Sequence, residues 1–503
     1  MHCRMCLEVW RPRAPLRRFF PFASASLFST RASSESAEYD VVVVGAGLVG
    51  SAFASAIKST TLTSSLKVAL VDISPLKPSD AVSTLTDAEW LHHVPSPRVS
   101  TITPRSADFL RQAGSWNSTL EDRTARFQSM QVWDSLGHVR YEAQDAGCTD
   151  LGYVVENARL QGALHRHIQD VTDVEVLAPA SISGLKLPDV DEVGLAEVEL
   201  SDGRQLRARL VVGADGGRSR VRQLAGLRRI ERRYPHHAVV STVRTSEPSD
   251  TAWQRFLPSG PLALLPVTPT YSNIVWSTSP AHAAELAAMS SAEFAEAADR
   301  ALHEADQESP EPAGTRAALA HRLGRAVFPL MERMPGPSPE RPPRVLEAPG
   351  PRGSFPLTMA VAGTYVRRRM ALIGDAAHTV HPLAGQGVNL GFYDAQTLAQ
   401  VVHESASCGS DLGDLIHLRD YDRRRHVGNL PMLAALDSIY RIFDNEGGGM
   451  VYARASGMRV VNSSSAVKRT VMQYAMGHSS EDAHAMLQSP LSTLLSKATS
   501  ILR

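Results

Sequence analysis

The chain has 503 residues, 43% of them hydrophobic and 21% charged, and its 52 basic side chains balance 52 acidic ones. That length suggests two or three domains with enough apolar surface for a large core. A net charge of zero excludes the broad basic surface that nucleic-acid binding needs.

Before Glu35, six arginines (Arg4, Arg11, Arg13, Arg17, Arg18 and Arg31) face a single acid, Glu8, and a serine-rich run carries Phe19, Phe20, Phe22 and Phe28. A cationic, hydroxylated, acid-poor segment has the character of a mitochondrial presequence, whereas a secretory signal needs a longer apolar core. We expect residues 1–36 to be such a presequence. Nowhere do 18 apolar residues run without charge, so no membrane span is expected and any membrane contact is peripheral. Of the cysteines, Cys3 and Cys6 fall in the leader. Cys148 and Cys408 form no CxxC pair and no metal spacing, which predicts unpaired thiols in a reducing compartment.

The first ordered element opens at Tyr39. Val41–Val44 is a continuous β-branched run, as expected of a strand buried on both faces of a parallel sheet. Gly45-Ala46-Gly47-Leu48-Val49-Gly50 follows it, then a small-residue helix over Ala52–Ile57 and a second strand over Lys67–Val71 that ends at Asp72. In such a unit Gly45 permits the tight turn, Gly47 lets backbone approach a pyrophosphate, and Gly50 lets helix and strand pack closely. The helix N-terminus favours the phosphate charge. Asp72, about twenty residues on, is placed to accept from a ribose diol. The motif points to a dinucleotide without separating FAD from NAD. A polar stretch from Pro75 to Pro97 then reads as a loop.

Leu210–Val212 is a second short strand leading into Gly213-Ala214-Asp215-Gly216, and Met370–Ile373 a third leading into Gly374-Asp375. Three strand ends of this kind can converge at the carboxyl edge of one sheet, where α/β folds bind ligands. Between them, Ala238–Val243, Leu262–Pro266 and Asn273–Ser277 read as a second, more antiparallel domain. Prolines crowd residues 309–356, and since proline fixes φ and lacks a donor, an irregular surface excursion is expected there. The run from His381 through Pro382, Gly385, Gln386, Gly387 and Asn389 to Gly391 is glycine-rich enough for backbone to approach a planar ligand. It leads into a helix whose N-terminus would stabilise negative charge on such a ligand. His378 and His381 lack a third ligand, so no metal is assigned. From Asp420 onward the chain reads as helical.

Gly213–Ser219 and Gly374–His378 resemble the two distal signatures of the p-hydroxybenzoate-hydroxylase-type flavoprotein monooxygenases. The resemblance implies FAD as cofactor. Its contacts would be Gly45, Gly47, Gly50, Asp72, Asp215, Gly216, Gly374, Asp375, Pro382, Gly385, Gln386, Gly387 and Asn389, with Arg98 in the family's arginine position near the flavin. Val154-Val155-Glu156-Asn157 with Leu160 and Leu164 matches a further cofactor step. The stretches Ala252–Pro258, Gly260–Pro266, Asn273–Ser277 and Ser354–Leu357 look like the substrate-domain signature of the ubiquinone-biosynthesis ring hydroxylases. So do Arg454–Met458, Asn462, Lys468 and Ala475-Met476-Gly477. With the leader, the chain resembles the mitochondrial branch of that subgroup. It departs in having Asp72 where Glu is common, and in longer loops at Lys77–Val94 and in the proline-rich excursion.

The resemblance implies an α/β fold: a Rossmann-like FAD-binding domain interleaved with a mixed, antiparallel-sheet substrate domain and a helical C-terminal segment. We expect the FAD-binding domain over 37–125, 152–232 and 356–430, the substrate domain over 126–151 and 233–355, and the helical segment over 431–503. The activity implied is hydroxylation, with O2, of a polyprenylated phenol or hydroxybenzoate of ubiquinone biosynthesis. The electron donor implied is a ferredoxin with its reductase, with NAD(P)H open as the other donor. Other quinone-biosynthesis proteins in a complex are implied as partners. The expected location is the matrix side of the mitochondrial inner membrane, held peripherally. Leu491, Leu494, Leu495, Ala498 and Leu502 have helical spacing that fits a membrane, a partner or the protein's own core equally. No residue identifies a catalytic base. Two alternatives stand beside this reading: a flavin-dependent reductase or dehydrogenase of a polyprenyl substrate on the same fold, and a non-catalytic FAD-holding assembly subunit.

Overall fold

A computed structural model of the chain describes residues 36–77, 89–90, 93–189, 192–304, 322, 324–326, 328–329, 336–445 and 448–477. The expected leader (but for Ser36), most of the Lys77–Val94 loop, much of the proline-rich excursion and the Leu491–Leu502 stripe lie outside these residues.

Val41–Val44 forms the middle of the first sheet, at 4% exposure or less. Burying each such side chain contributes roughly 1.5–3 kcal/mol. Their strand, Ala37–Val44, lies parallel to Val68–Val71 on one side and to Gln205–Gly213 on the other. Glu175–Leu177 extends the sheet parallel to Val68–Val71, and Met370–Leu372 extends it parallel to Gln205–Gly213. The helix Leu48–Lys58 buries Ala52, Phe53 and Ile57 in the same core. Gln205–Gly213 is longer than the expected Leu210–Val212. Its first half alternates, with Leu206 and Ala208 buried and Gln205 and Arg207 exposed, because there it pairs with the antiparallel strand Ala196–Leu200.

The second sheet is mixed and mostly antiparallel. Its centre is a strand of 17 residues, Arg229–Thr245, flanked by Tyr271–Thr278 and Gly353–Ala362. Thr251–Leu257 and Gly260–Pro266 continue it, and Ser129–Trp133 joins parallel to Thr251–Leu257, bringing in the hairpin to His138–Glu142. One face, with Val239, Leu262, Ile274 and Trp276, packs on Leu286, Phe294 and Ala298 of two helices. The other face, with Ala238, Phe256 and Leu357, packs on Leu383, Leu390, Leu433 and Tyr440. Both faces are therefore covered, which is why these strands read as apolar runs rather than as a half-wet alternation.

Two expectations need correction. The proline-rich excursion was expected to stay irregular through Pro356, but Gly353–Ala362 is a strand, and Pro356 lies in it opposite His237. The register shifts between Arg233 and His237, and an interruption of this kind accommodates a residue that cannot donate to the ladder. The C-terminal helices begin before Asp420, at Leu415, and run over Leu415–Asp444, Gly448–Ser463 and Ser465–Ala475, with Pro431 inside the first.

Candidate cofactor site

The parallel register places the carboxyl ends of three strands side by side. Val44 sits opposite Val71 and Gly213, and Gly213 sits opposite Leu372. The turns that follow, at Gly45, Asp215 and Gly374, accordingly meet at one sheet edge.

At the first turn, Gly45 has φ +110°, and a Cβ there would lie 2.4 Å from the Ala214 carbonyl oxygen. Gly50 is tighter still, its added Cβ running into the Gly45 carbonyl. Both are glycine for backbone contact within the protein. Gly47 differs: it is extended, and nothing lies within 4 Å of a Cβ built on it. It caps the Leu48–Lys58 helix with no side-chain hydrogen bond, and the first turn holds no acid. Helix-start N–H groups without an internal acceptor make an anion site, and the open space at Gly47 is where a pyrophosphate fits.

The Ala46 peptide beside it is gripped on both sides. Its N–H donates to Asp72 Oδ2 at 2.7 Å, and its carbonyl accepts from His165 Nε2 at 2.7 Å and Gln161 Nε2 at 3.2 Å. Because His165 Nδ1 accepts from the Lys77 N–H, the Nε2 tautomer is fixed, and burial lowers the pKa of the ring. Asp72 Oδ1 accepts from the Ser74 N–H, so each carboxylate oxygen keeps a lone pair for a ribose hydroxyl.

At the second turn, Asp215 Oδ2 accepts from the N–H groups of Arg220 and Val221, while its Oδ1 is buried without a partner. Gly216 has φ +78° and open space at its Cβ position. At the third turn, solvent reaches Asp375 although protein encloses it on most sides. That enclosure raises its carboxyl pKa by desolvation, with His378 opposing and Asp394 adding to the rise. Arg222, buried, ties the two turns together, Nη1 to the Ala376 carbonyl at 2.7 Å and Nη2 to the Gly217 carbonyl at 2.8 Å.

Beneath the third turn lies a buried polar network. Asp394 Oδ2 accepts from the Gly374 N–H at 2.9 Å and lies 2.5 Å from His378 Nε2, and its Oδ1 accepts from Arg425 Nε at 2.7 Å and Asn429 Nδ2 at 3.2 Å. These partners hold the Asp394 carboxyl down at about 2 against the desolvation that would raise it.

The glycine-rich run continues from there. His381 Nδ1 accepts from the Leu383 N–H and caps the short turn Pro382–Ala384. Gly385 has φ +60°, and its added Cβ would meet Thr101 at 3.0 Å. The helix Gly387–Ser407 starts at Gln386 without a side-chain cap or an acid in its first turn, a second helix end suited to negative charge. Gly387 opens that first turn. Gln386 keeps a buried Oε1 with no partner. Asn389 is fully used inside the protein: Oδ1 accepts from the Thr103 N–H, and Nδ2 donates to the carbonyls of Thr101 and Gly385. It fastens the turn rather than leaving a group free.

Arg98 is exposed, and no side-chain partner is recorded for it among the described residues. Its turn is pinned from four directions. Thr242 Oγ1 donates to the Pro95 carbonyl at 2.8 Å and Asn273 Nδ2 to the Pro97 carbonyl at 3.0 Å. Glu156 Oε2 accepts from the Ser96 N–H, and the Asn157 N–H donates to the Arg98 carbonyl. Thr242 and Asn273 belong to the second sheet, so this turn links the two lobes.

These residues fit FAD. The open Gly47 cradle, two uncapped helix ends, and the unpartnered Asp215 Oδ1 and Gln386 Oε1 are what a long ligand with an anionic middle and many polar atoms would satisfy. Sequence reading missed Gln161, His165, Arg222, Asp394 and Arg425. A carboxylate such as Asp394 among apolar residues of one helix was the available signal. Among the described residues no group of three or more His, Cys, Asp or Glu side chains could hold a metal. No described helix is long and apolar enough to cross a membrane.

A family model described as an FAD binding domain matches residues 38–325 and 342–426. The "Ubiquinone biosynthesis monooxygenase COQ6, mitochondrial" of Xenopus tropicalis is 38% identical over 472 residues, covering 92% of this chain and 98% of the frog protein. The human protein of the same name is 38% identical over 445 residues, covering 87% of this chain and 92% of its own length. The crystal structure of p-nitrophenol 4-monooxygenase PnpA from Pseudomonas putida DLL-E4 superposes with a TM-score of 0.61 at 18% identity, over 88% of this chain and 100% of that one. It shares the fold.

Proposed function

This chain belongs to the COQ6 family of mitochondrial ubiquinone-biosynthesis monooxygenases, FAD-dependent enzymes, and on that premise we propose how its residues divide the work of hydroxylating a polyprenylated phenol ring. The observation that carries the reading is the meeting of three strand ends, at Gly45, Asp215 and Gly374, at one sheet edge.

FAD when bound supplies the redox chemistry, taking up two electrons and activating O2 so that one oxygen atom enters the ring and the other leaves as water. The protein binds, orients and shields. Gly47 and the N–H groups after it would hold the pyrophosphate, with Asp72 on a ribose. Asp215, Gly216, Gly374 and Asp375 would line the middle of the cofactor, with Gly45 and Gly50 shaping the first turn. Pro382, Gly385, Gln386 and Gly387 would flank the ring, Asn389 would brace them, and Arg98 would meet the ring from the turn that Thr242 and Asn273 tie to the second lobe. We assign the cofactor domain to 37–125, 152–232 and 356–430 and the substrate domain to 126–151 and 233–355, with the strands Arg229–Thr245 and Gly353–Ala362 crossing those bounds as members of the second sheet and the helix Leu415–Asp444 crossing into the C-terminal segment that begins at 431.

The reaction requires a redox partner. A ferredoxin with its reductase fits best, in keeping with the resemblance drawn from the sequence. The relatives named above are mitochondrial by name, which supports the same compartment here. Peripheral attachment on the matrix side of the inner membrane, within a group of quinone-biosynthesis proteins, extends that reading.

The test uses the purified full chain. Its absorbance is recorded, the protein is reduced without air, and labelled O2 is admitted beside a prenylated phenol. Bound flavin and one labelled oxygen in the ring are expected. Flavin that reoxidises without labelling the ring, with a ferredoxin pair present, would favour the reductase reading. Absence of flavin would remove the basis for the proposal.

A further inference from the structure

The end of the last described helix is held by three side chains from the cofactor elements. The helix Ser465–Ala475 closes in the turn Met476–Gly477. The Ala475 carbonyl accepts from Gln386 Nε2 at 3.1 Å, the Met476 carbonyl from the Tyr393 hydroxyl at 3.4 Å, and the Gly477 carbonyl from Arg105 Nη1 at 2.7 Å. The last carbonyls of a helix have no intrahelical donor, and ordinarily water or a local cap serves them. Here three in a row are received by residues that lie far away in sequence.

The socket is built to close fit. Gly477 has φ +86°, and a Cβ there would lie 2.1 Å from the Tyr393 hydroxyl. Tyr393 is 5% exposed and also contacts Thr103 Oγ1 at 2.6 Å. Arg105 stacks over the Tyr393 ring, 4.5 Å from its centroid, and its guanidinium also reaches Gln396 Oε1. A carbonyl can only accept, so the Gln386 group facing Ala475 must be its NH2. That choice turns Oε1 the other way, where it is buried and unpartnered. A buried amide oxygen is costly to leave unpaired, so the arrangement calls for a donor from outside the chain.

We propose that the Ala475–Gly477 turn is a latch that sets the Gln386 amide, so that Gln386 Oε1 accepts a hydrogen bond from an N–H or hydroxyl of bound FAD. The C-terminal helices are then part of the cofactor site, and Gly477 and Arg105 act as positioning residues through Gln386. This inference rests on the FAD reading above, and the test separates the two.

Full-length apoprotein is titrated with FAD, following the loss of flavin fluorescence, for wild type, Gln386→Leu, Gly477→Val and the double variant. The melting temperature of each apoprotein is recorded alongside. Wild type binds, and each single variant weakens FAD by about ten-fold, the scale expected for one unpaired buried acceptor. The double variant binds no more weakly than Gln386→Leu alone, because both act through one amide. Should Gly477→Val fail to fold, Arg105→Met takes its place in the same cycle. An FAD affinity within two-fold of wild type in Gly477→Val or Arg105→Met, or losses that multiply in the double variant, would overturn the latch alone. A wild type that binds no FAD overturns the cofactor reading and the latch with it.

Discussion

Asp394 and Arg425 meet inside the protein, Oδ1 to Nε at 2.7 Å, with the carboxylate side chain fully buried and the guanidinium 7% exposed. The same carboxylate fixes the Gly374 N–H, so the pair sets the turn that carries Asp375, which we propose lines the cofactor. Replacing Asp394 with Ala leaves a buried guanidinium uncompensated, a change that typically costs about 3–5 kcal/mol. Denaturant unfolding should show a loss of that size, together with loss of FAD. The pH dependence follows from the sign of the shift. The Asp394 carboxyl is held at about 2, below its usual 3.8, so its contribution is complete above pH 4 and fades as pH falls towards 2. Asp394→Asn should flatten the stability profile across that acid window.

Gly45, Gly47, Gly50 and Asp72 could be read from the sequence because strand, glycine turn, helix and acid succeed one another locally. The brackets around them could not. Asn273 and Pro97 are separated by 176 residues, Gln386 and Ala475 by 89, and Arg222 and Ala376 by 154. No periodicity reports contacts of that range. Strand lengths were also short-read. In Arg229–Thr245 the outer half carries Arg229, Glu231, Arg232 and Arg233, and only the sheet partner Gly353–Ala362 makes so polar a stretch extended. Asp394 was the one residue whose setting could have betrayed it, a charge on an otherwise core-facing stretch of helix.

Gly47 and Gly45 separate cofactor contact from folding. A side chain at Gly47 meets nothing in the protein, so Gly47→Val should lower apoprotein stability by no more than about 1 kcal/mol, the scale of an N-cap change. Its FAD affinity should fall more than about ten-fold, since the side chain would fill the proposed phosphate cradle. Gly45→Ala forces a Cβ against the Ala214 carbonyl at φ +110° and should cost about 3 kcal/mol or more before any ligand is added. Thermal melts of the two apoproteins beside FAD titrations decide the matter; equal destabilisation by both would refute the distinction.

Arg98 and Asn273 should behave as a unit in turnover and apart in stability. Arg98→Met alters an exposed side chain and should change stability by less than about 0.5 kcal/mol while slowing ring hydroxylation. Asn273→Ala removes the donor to the Pro97 and Ser241 carbonyls inside the sheet and should cost about 1–3 kcal/mol. If Asn273 acts on catalysis by holding the Arg98 turn, adding Asn273→Ala to Arg98→Met leaves turnover nearly where Arg98→Met put it, yet still lowers stability. Independent, additive losses of turnover would separate the two residues.

His381 gives the site a second pH response, at milder acid than Asp394. The ring is 1% exposed, its Nδ1 is occupied as acceptor for the Leu383 N–H, and its edge meets Tyr234 with centroids 4.8 Å apart. Burial is the main cause that lowers its pKa from 6.5 to about 4, and nearby His236 adds to the drop while Asp437 opposes it. The folded state therefore prefers the neutral ring, whereas the unfolded chain takes up a proton near pH 6.5. Stability from this group is complete above pH 6.5 and declines as pH falls towards 4, with a full loss of about 3 kcal/mol for a shift of this size. Protonation would also place a hydrogen on Nδ1, which can then no longer receive the Leu383 N–H that caps the Pro382–Ala384 turn. His381→Asn keeps a side-chain acceptor suited to the cap and carries no titrating group. It should retain the turn at neutral pH and make stability fall less steeply than wild type between pH 6.5 and 4, by up to about 3 kcal/mol over the interval, as followed by denaturant midpoints across that range. Wild-type and His381→Asn midpoints that keep the same difference over this interval would show that the ring titrates as freely in the folded protein as in the unfolded one.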